Sequence, residues 1–504
     1  AHFKHKQMIV KQDQDEIQDF LRDASNMPGG HADRVYFPAT EDDVIAALAE
    51  CRELGLRVTV SGAGTGLAGG RVPFGGAVIA TSQMKKIVSI DPQNLRAVVE
   101  PGVILGEFQA EVEQQGVFYP PDPTERTCFI GGTVATNSSG ARTFKYGPTR
   151  NFIEALDIVL ADGDRLKIRR GEHRAQEHHH GNALRLVTDR GREIDLTLPE
   201  YTMPRTKHAA GYFINPGMDA IDLFIGAEGT LGIVTRIEVR LLPLPEKLFS
   251  GIIFFPDERA TLDFVEEARD RSREQGEYRG NAVEIEARAL EYIDANSLEL
   301  IRDEFPTIPE DAAGGAIWIE QETTDETDEA LLELWYELML KHNALVDTSW
   351  FAIGEEDQRR MRHFRHAVPE AVYEQITEGA QTKLGTDMAV PDSHFRELLA
   401  FYRDQFQMHD LRNVIYGHIG NSHLHANIFA RGAEEFRTAK EVYNRLVDKA
   451  LSLGGTISAE HGVGKLKTSY LAKMYGAEAI DGMRRLKLQL DPAGILGTGT
   501  MFDI

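Results

Sequence analysis

Between Val58 and Arg71 the chain reads VTVSGAGTGLAGGR, a β-prone run that opens into a glycine loop with Gly64, Gly66 and Gly69 spaced as GxGxxG. In a dinucleotide-binding βαβ unit a helix follows such a loop at once, because its N-terminus holds the pyrophosphate. An acidic residue about 20 positions on then takes the ribose hydroxyl. Here Pro73, Gly75 and Gly76 come next, followed by AVIAT, IVSID and RAVVEPGV, short β-rich runs broken by turn residues. Asp91 comes later and sits in a DPQN turn. The loop therefore runs strand to strand, which speaks against NAD and for another nucleotide in another fold.

Upstream, residues 39–55 (ATEDDVIAALAECRELG) predict a helix. Thr40 is the N-cap, Asp43 stands at the capping-box position, and Val44, Ile45, Leu48, Cys51 and Leu54 form one face. Downstream, two further glycine-rich blocks stand out, GVFYPPDPTERTCFIGGTVATNSSGARTFKYG from Gly116 and LFIGAEGTLGIVTRIEVRLLP from Leu223. The second reads as a loop feeding a strand. From about Lys247 strands and amphipathic helices alternate to about Leu453, as in a separate α+β domain, and the tail reads as helices and a final loop.

With 504 residues the chain is long enough for two or three domains, each with its own core. The net charge of −24 repels nucleic-acid phosphates. The longest apolar runs fall short of the roughly 20 residues of a membrane helix, and the N-terminus lacks the apolar stretch of a secretory signal. A soluble, cytoplasmic protein is expected, touching a membrane only through an electron acceptor, or a mitochondrial one in a eukaryote. Two cysteines, Cys51 and Cys128, cannot build a disulfide framework or hold an iron–sulfur cluster, and both read as packing residues. His178, His179 and His180 are consecutive, so their side chains diverge, and the stretch GEHRAQEHHHGN reads as a solvated loop.

The chemistry concentrates near the C-terminus. Residues 413–429, NVIYGHIGNSHLHANIF, read as a hairpin turning near GNS, with His418 ending the first strand and His423 and His425 sharing one face of the second. Further on, ISAEHGVG supplies Glu460 and His461 followed by glycines. Two imidazoles and a carboxylate with open positions make a catalytic metal set, while His423 is expected beside it rather than in it. Arg365 and Lys383, ahead of the hairpin, can clamp a carboxylate between them.

Taken in order, SGAGTGLAGG, PPDP, GGTVATNSSG, GAEGTLGIVT, GHIGNSHLH and SAEHGVG resemble the FAD-dependent 2-hydroxy acid dehydrogenases of the vanillyl-alcohol-oxidase, or PCMH-type, flavoprotein superfamily. The likeness covers roughly residues 30–500. It implies an α+β fold: a PCMH-type FAD domain of two α+β subdomains (1–246), an α+β substrate or cap domain (247–460), and a segment (461–504) packing back on the FAD domain. It also implies FAD pyrophosphate over Ser61, Gly62, Ala63, Gly64, Thr65 and Gly66. The flavin ring would lie near Pro121, Asp122, Gly131, Gly132, Ala135, Asn137, Ser138 and Gly140, and the adenosine near Glu228, Gly229, Gly232 and Ile233. The first loop lacks the histidine that carries FAD covalently in some relatives, so FAD is expected to be non-covalent.

By the same resemblance His418, His425 and Glu460 match divalent-metal ligands, with zinc the first expectation and manganese or iron the others. His461 matches the proton acceptor, and Arg365 and Lys383 match carboxylate-binding residues. The implied reaction is oxidation of a D-2-hydroxy acid to its 2-oxo acid by hydride transfer to flavin N5. Pro369 stands where dicarboxylate-using members place a hydroxyl, which puts D-lactate or glycolate ahead of D-2-hydroxyglutarate. The alternatives are a transferase like alkylglycerone-phosphate synthase and an electron-transfer subunit. The implied partners are a small 2-hydroxy acid, an acceptor protein or quinone, and a second copy or partner subunits.

Overall fold

The predicted helix forms as Glu41–Glu53. Thr40 Oγ1 accepts the Asp43 N–H and the Asp43 carboxylate accepts the Thr40 N–H, closing the capping box. Throughout, the description rests on a computed structural model that describes residues 8–178, 181–274, 283–352, 354–378 and 384–504. The helix buries Val44, Leu48 and Cys51 against a four-stranded sheet ordered Ile9–Lys11, Arg34–Phe37, Ala77–Ala80, Val58–Ser61. Ala77–Ala80 runs parallel to both of its neighbours. The glycine loop thus connects two adjacent parallel strands, as the sequence predicts, and does so without a helix.

A second subdomain is built on a five-stranded antiparallel sheet, Ile87–Asp91, Arg96–Val99, Ile233–Arg240, Ile153–Val159, Arg165–Arg169. The central Ile233–Arg240 alternates buried with partly exposed residues, so one face meets the core. Two short helices, Leu105–Glu113 and Ile130–Thr136, pack on that core. One expectation is corrected here. The polar stretch read as a loop includes a strand, Gln176–His178, paired antiparallel with Gly181–Val187, which in turn pairs with Glu193–Thr197. Backbone hydrogen bonds make this sheet, so its first strand needs no apolar alternation to announce it. His179 and His180 lie outside the described residues.

The third unit is a larger antiparallel sheet. Lys247–Phe255 and Gly315–Thr323 pair along their whole lengths, and the sheet continues through Ala289–Ile293 to the hairpin Asn413–Gly417/His423–Ile428. Alternate residues divide between two cores. Phe249, Ile253 and Phe255 join the core shared with the five-stranded sheet, whereas Ile252 and Phe254 meet Trp318 and Phe364 on the opposite face. After the helices Thr468–Tyr475 and Ala477–Leu490 the tail returns to the first subdomain, where Val58 N–H donates to Ile495 O (2.7 Å) and Gly497 N–H to Val58 O (2.8 Å).

Candidate active site

The glycine loop does not pack down on the sheet but forms the wall of a cavity of about 320 Å³. Gly62, Ala63, Gly64, Thr65 and Gly66 line one side, and Gly131, Gly132, Ala135 and Ser138, on and after the Ile130–Thr136 helix, line another. Glu228, Gly229 and Gly232 complete it, and Glu460 and His461 also line it. Gly64 suits this turn because its φ is +82°, and Arg71 Nη1 occupies the space where a Cβ would stand. A cavity walled by small residues and backbone amides, and reaching charged side chains, has the chemistry of a dinucleotide site.

The remaining residues expected at the cofactor shape this cavity without lining it. Ser61 ends its strand and accepts Arg71 Nε–H at 2.6 Å. Asn137 closes the Ile130–Thr136 helix at φ +48° and accepts the Arg150 N–H at 2.9 Å. Pro121 O accepts from Gln109 Nε2, and Asp122 accepts the Arg142 N–H, with burial raising its carboxyl. Gly140 packs against the Asp122 carbonyl, and Ile233 belongs to the core of the first subdomain.

The hairpin forms with Tyr416 opposite His425, and its turn carries His418 toward the same point. His425 Nε2 lies 3.0 Å from Glu460 Oε1, and His418 Nε2 lies 3.3 Å from the same oxygen. The other ring nitrogens are fixed. His425 Nδ1 meets the Thr386 carbonyl at 3.0 Å, and His418 Nδ1 meets Glu291 Oε1 at 2.7 Å. A carbonyl and a carboxylate only accept, so each Nδ1 donates. Burial opposes a charge on His418, but Glu291 and Glu460 on either side outweigh it and raise its pKa to about 9, so with no metal bound its Nε2 also carries a proton toward Glu460. The His418 proton, or a metal ion in its place, is the positive charge that lets His418, His425 and Glu460 meet at one point. Two nitrogens and a carboxylate, each nitrogen ring held from behind, are suited to a divalent metal.

His461 stacks on His425, with ring centroids 5.3 Å apart and planes 9° apart. Burial, only partly offset by Asp387, lowers its pKa to about 4, so the imidazole is neutral and able to take a proton. His423 is fully buried behind this pair, between Asp387 (3.0 Å from Nε2) and Lys207 (3.2 Å from Nδ1). Arg365, on the Glu355–Glu378 helix, lies with Glu291 on one edge (3.2 Å), which the buried carboxylate reciprocates: burial opposes its ionisation, but His418 and Arg365 hold it at about 2. Arg365, His366, Pro369 and Tyr416 line a second, smaller cavity of about 40 Å³ that also borders His418 and His425. Lys383 lies outside the described residues.

Several groups escape the sequence reading. Asp387 accepts from the His461 N–H (3.0 Å), Ser458 Oγ (2.7 Å) and Lys467 Nζ (3.0 Å), fixing the segment that carries Glu460 and His461. Lys207 donates to Glu460 Oε2 at 2.8 Å. A lone acidic residue in an apolar run, DMAV, is the one signal that marks Asp387; Lys207 has none.

Residues 32–169 match the FAD binding domain and residues 279–501 the C-terminal domain of FAD-linked oxidases. The fold is that of the PCMH-type flavoproteins: the solved structure of p-cresol methylhydroxylase superposes with a TM-score of 0.68 at 16% identity, covering 98% of this chain and 94% of that one. The chain is 31% identical to glycolate oxidase subunit GlcD of Bacillus subtilis, over 93% of this chain and 89% of that protein. It is 29% identical to D-lactate dehydrogenase of Anaerostipes hadrus, over 96% and 93%. The chain belongs to the FAD-linked oxidase family and is an FAD-linked oxidoreductase. No helix among the described residues is long and apolar enough to cross a membrane.

Proposed function

We propose that the protein oxidises a small D-2-hydroxy acid, of the D-lactate or glycolate type, to its 2-oxo acid. The observation that carries this is the meeting of His418, His425 and Glu460, with the neutral His461 stacked on His425; Glu460 and His461 line the large cavity. When bound, FAD supplies a two-electron acceptor and a divalent ion between His418, His425 and Glu460 supplies the positive charge that acidifies the substrate hydroxyl. Arg365, with Lys383, orients the substrate carboxylate. His461 takes the hydroxyl proton on an imidazole nitrogen, and Asp387, 3.5 Å from its Nδ1, holds the ring in place. The small cavity beside Arg365, bounded by Pro369 and Tyr416 and about 40 Å³ in volume, favours a small substrate. The names of the relatives support the same substrate class.

Anaerobic mixing with D- and L-2-hydroxy acids tests this, with and without chelator. Flavin absorbance should bleach with the D-acids or glycolate and only in the absence of chelator. His425→Ala should keep FAD but lose bleaching, whereas full turnover by that variant would end the metal proposal. Denaturation should release the flavin from the chain, since the first loop carries no histidine to retain it; flavin that stays with the denatured protein would overturn that expectation.

A further inference from the structure

The N-terminal stretch 22–26 precedes the residues that match the FAD binding domain, yet it is strapped onto the glycine loop. Ala24 N–H donates to Gly64 O at 3.0 Å, and Arg71 Nη1 donates to Arg22 O at 3.2 Å. This strap carries Asp23 into the wall of the large cavity, with the residue only 7% exposed. Its two oxygens differ. Oδ1 accepts the Ser25 N–H at 3.0 Å and the Ser25 hydroxyl. Oδ2 is buried and has no hydrogen-bond partner among the described residues. It lies 3.9 Å from where a Cβ on Gly66 would stand, at the floor of the loop.

A buried carboxylate oxygen without a donor costs on the order of 1–3 kcal/mol, more when charged, so a structure that keeps one has a use for it. The loop beside it offers amide N–H groups suited to a pyrophosphate. A phosphate oxygen cannot donate to a carboxylate and would be repelled by it. A neutral donor next to the phosphates would complete Oδ2. In a flavin dinucleotide the neutral donors flanking the pyrophosphate are sugar-type hydroxyls, on the ribityl chain to one side and the ribose to the other. Arg71, which shares the cavity wall, sets a positive charge beside Asp23 and keeps the local balance from opposing an anionic ligand.

We infer that Asp23 is a cofactor-binding residue whose Oδ2 accepts a hydrogen bond from a hydroxyl flanking the FAD pyrophosphate. The inference rests on the cavity holding FAD; the FAD affinity of the wild-type protein reports that, and the differences below report Asp23. Full-length protein freed of flavin is titrated with FAD by fluorescence quenching, as wild type, Asp23→Ala, Asp23→Asn and Ser25→Ala. A hydrogen bond to a charged acceptor corresponds to roughly a ten- to hundredfold loss in Asp23→Ala. Asp23→Asn should retain most of the affinity, because a hydroxyl can either donate to or accept from the amide. Ser25→Ala, which touches only the Oδ1 side, should stay within about threefold. Wild-type protein is also titrated with FAD analogues lacking a ribose or a ribityl hydroxyl. One of them should bind about tenfold or more weakly than FAD, which identifies the hydroxyl and needs no variant to fold. If every analogue binds wild type as FAD does, or if folded Asp23→Ala binds FAD as wild type does, the assignment is wrong.

Discussion

Glu228 occupies a left-handed conformation, φ +53°, that a non-glycine residue rarely adopts, and its half-buried side chain lies at the cavity wall against the segment 462–464. It accepts the Val463 and Gly464 N–H groups at 3.0 and 2.8 Å, a bond between residues more than 230 positions apart. Burial raises its pKa to about 7 against the lowering effect of those amides and of Lys467 and Lys465. In the unfolded chain a glutamate titrates near about 4.3. The native state thus holds the proton more tightly, and the associated stability is present below the unfolded value and lost as pH rises through about 7. Flavin-free wild-type protein should show a larger fall in Tm between about pH 5 and about pH 8 than Glu228→Gln, which cannot ionise. Equal falls would show that the carboxyl does not titrate in this range. The sequence marked Glu228 as a cofactor neighbour; that it also clamps the segment carrying Glu460 and His461 depends on a contact no local pattern encodes.

At the scale of elements, the hairpin is what turns three histidines into a site. Pairing of Asn413–Gly417 with His423–Ile428 fixes which rings share a face, and the short 3₁₀ turn Ile419–Asn421 brings His418 round to them. Gly417 makes this possible at φ +128°, where a Cβ would lie 3.0 Å from the His425 ring. Gly417→Ala should cost about 1–3 kcal/mol of stability. It should also weaken divalent-metal binding, read by calorimetric titration of the purified protein; unchanged affinity would mean that the His425 ring is not set by this contact. The hairpin, its turn and the expected grouping of His418 with His425 were all legible, because period-2 alternation and a GNS turn are local signals. Asp387 and Lys207 were not. What makes each a site residue is burial against His423 and Glu460, reached through other elements.

For the whole molecule, the tail closes the first subdomain. Lys487 is 1% exposed and donates to Asp491 (2.9 Å), Thr230 O (2.7 Å) and Leu496 O (2.8 Å), tying the Ala477–Leu490 helix to the loop below Glu228 and to the segment that meets Val58. Lys487→Met leaves Asp491 buried without its counter-charge, a loss of about 3–5 kcal/mol. The Tm of the variant should fall by several degrees and bound flavin should drop with it. A stable variant with full flavin would place the tail outside the cofactor site.

By itself the sequence determined the strand-to-strand glycine loop, the capped helix before it, the order of the glycine-rich blocks and the histidine hairpin. Each rests on residues within a few positions of one another, where turn chemistry, capping and periodicity act. Only the tertiary structure decided which loop residues face the cavity and which, like Ile233 and Asn137, support it from behind. It alone set the Nε2 atoms of His418 and His425 against Glu460, placed Asp387 beside His461 and turned Asp23 toward the glycine loop. Those arrangements come from burial and charge between segments tens to hundreds of residues apart, and such contacts leave no period in the chain.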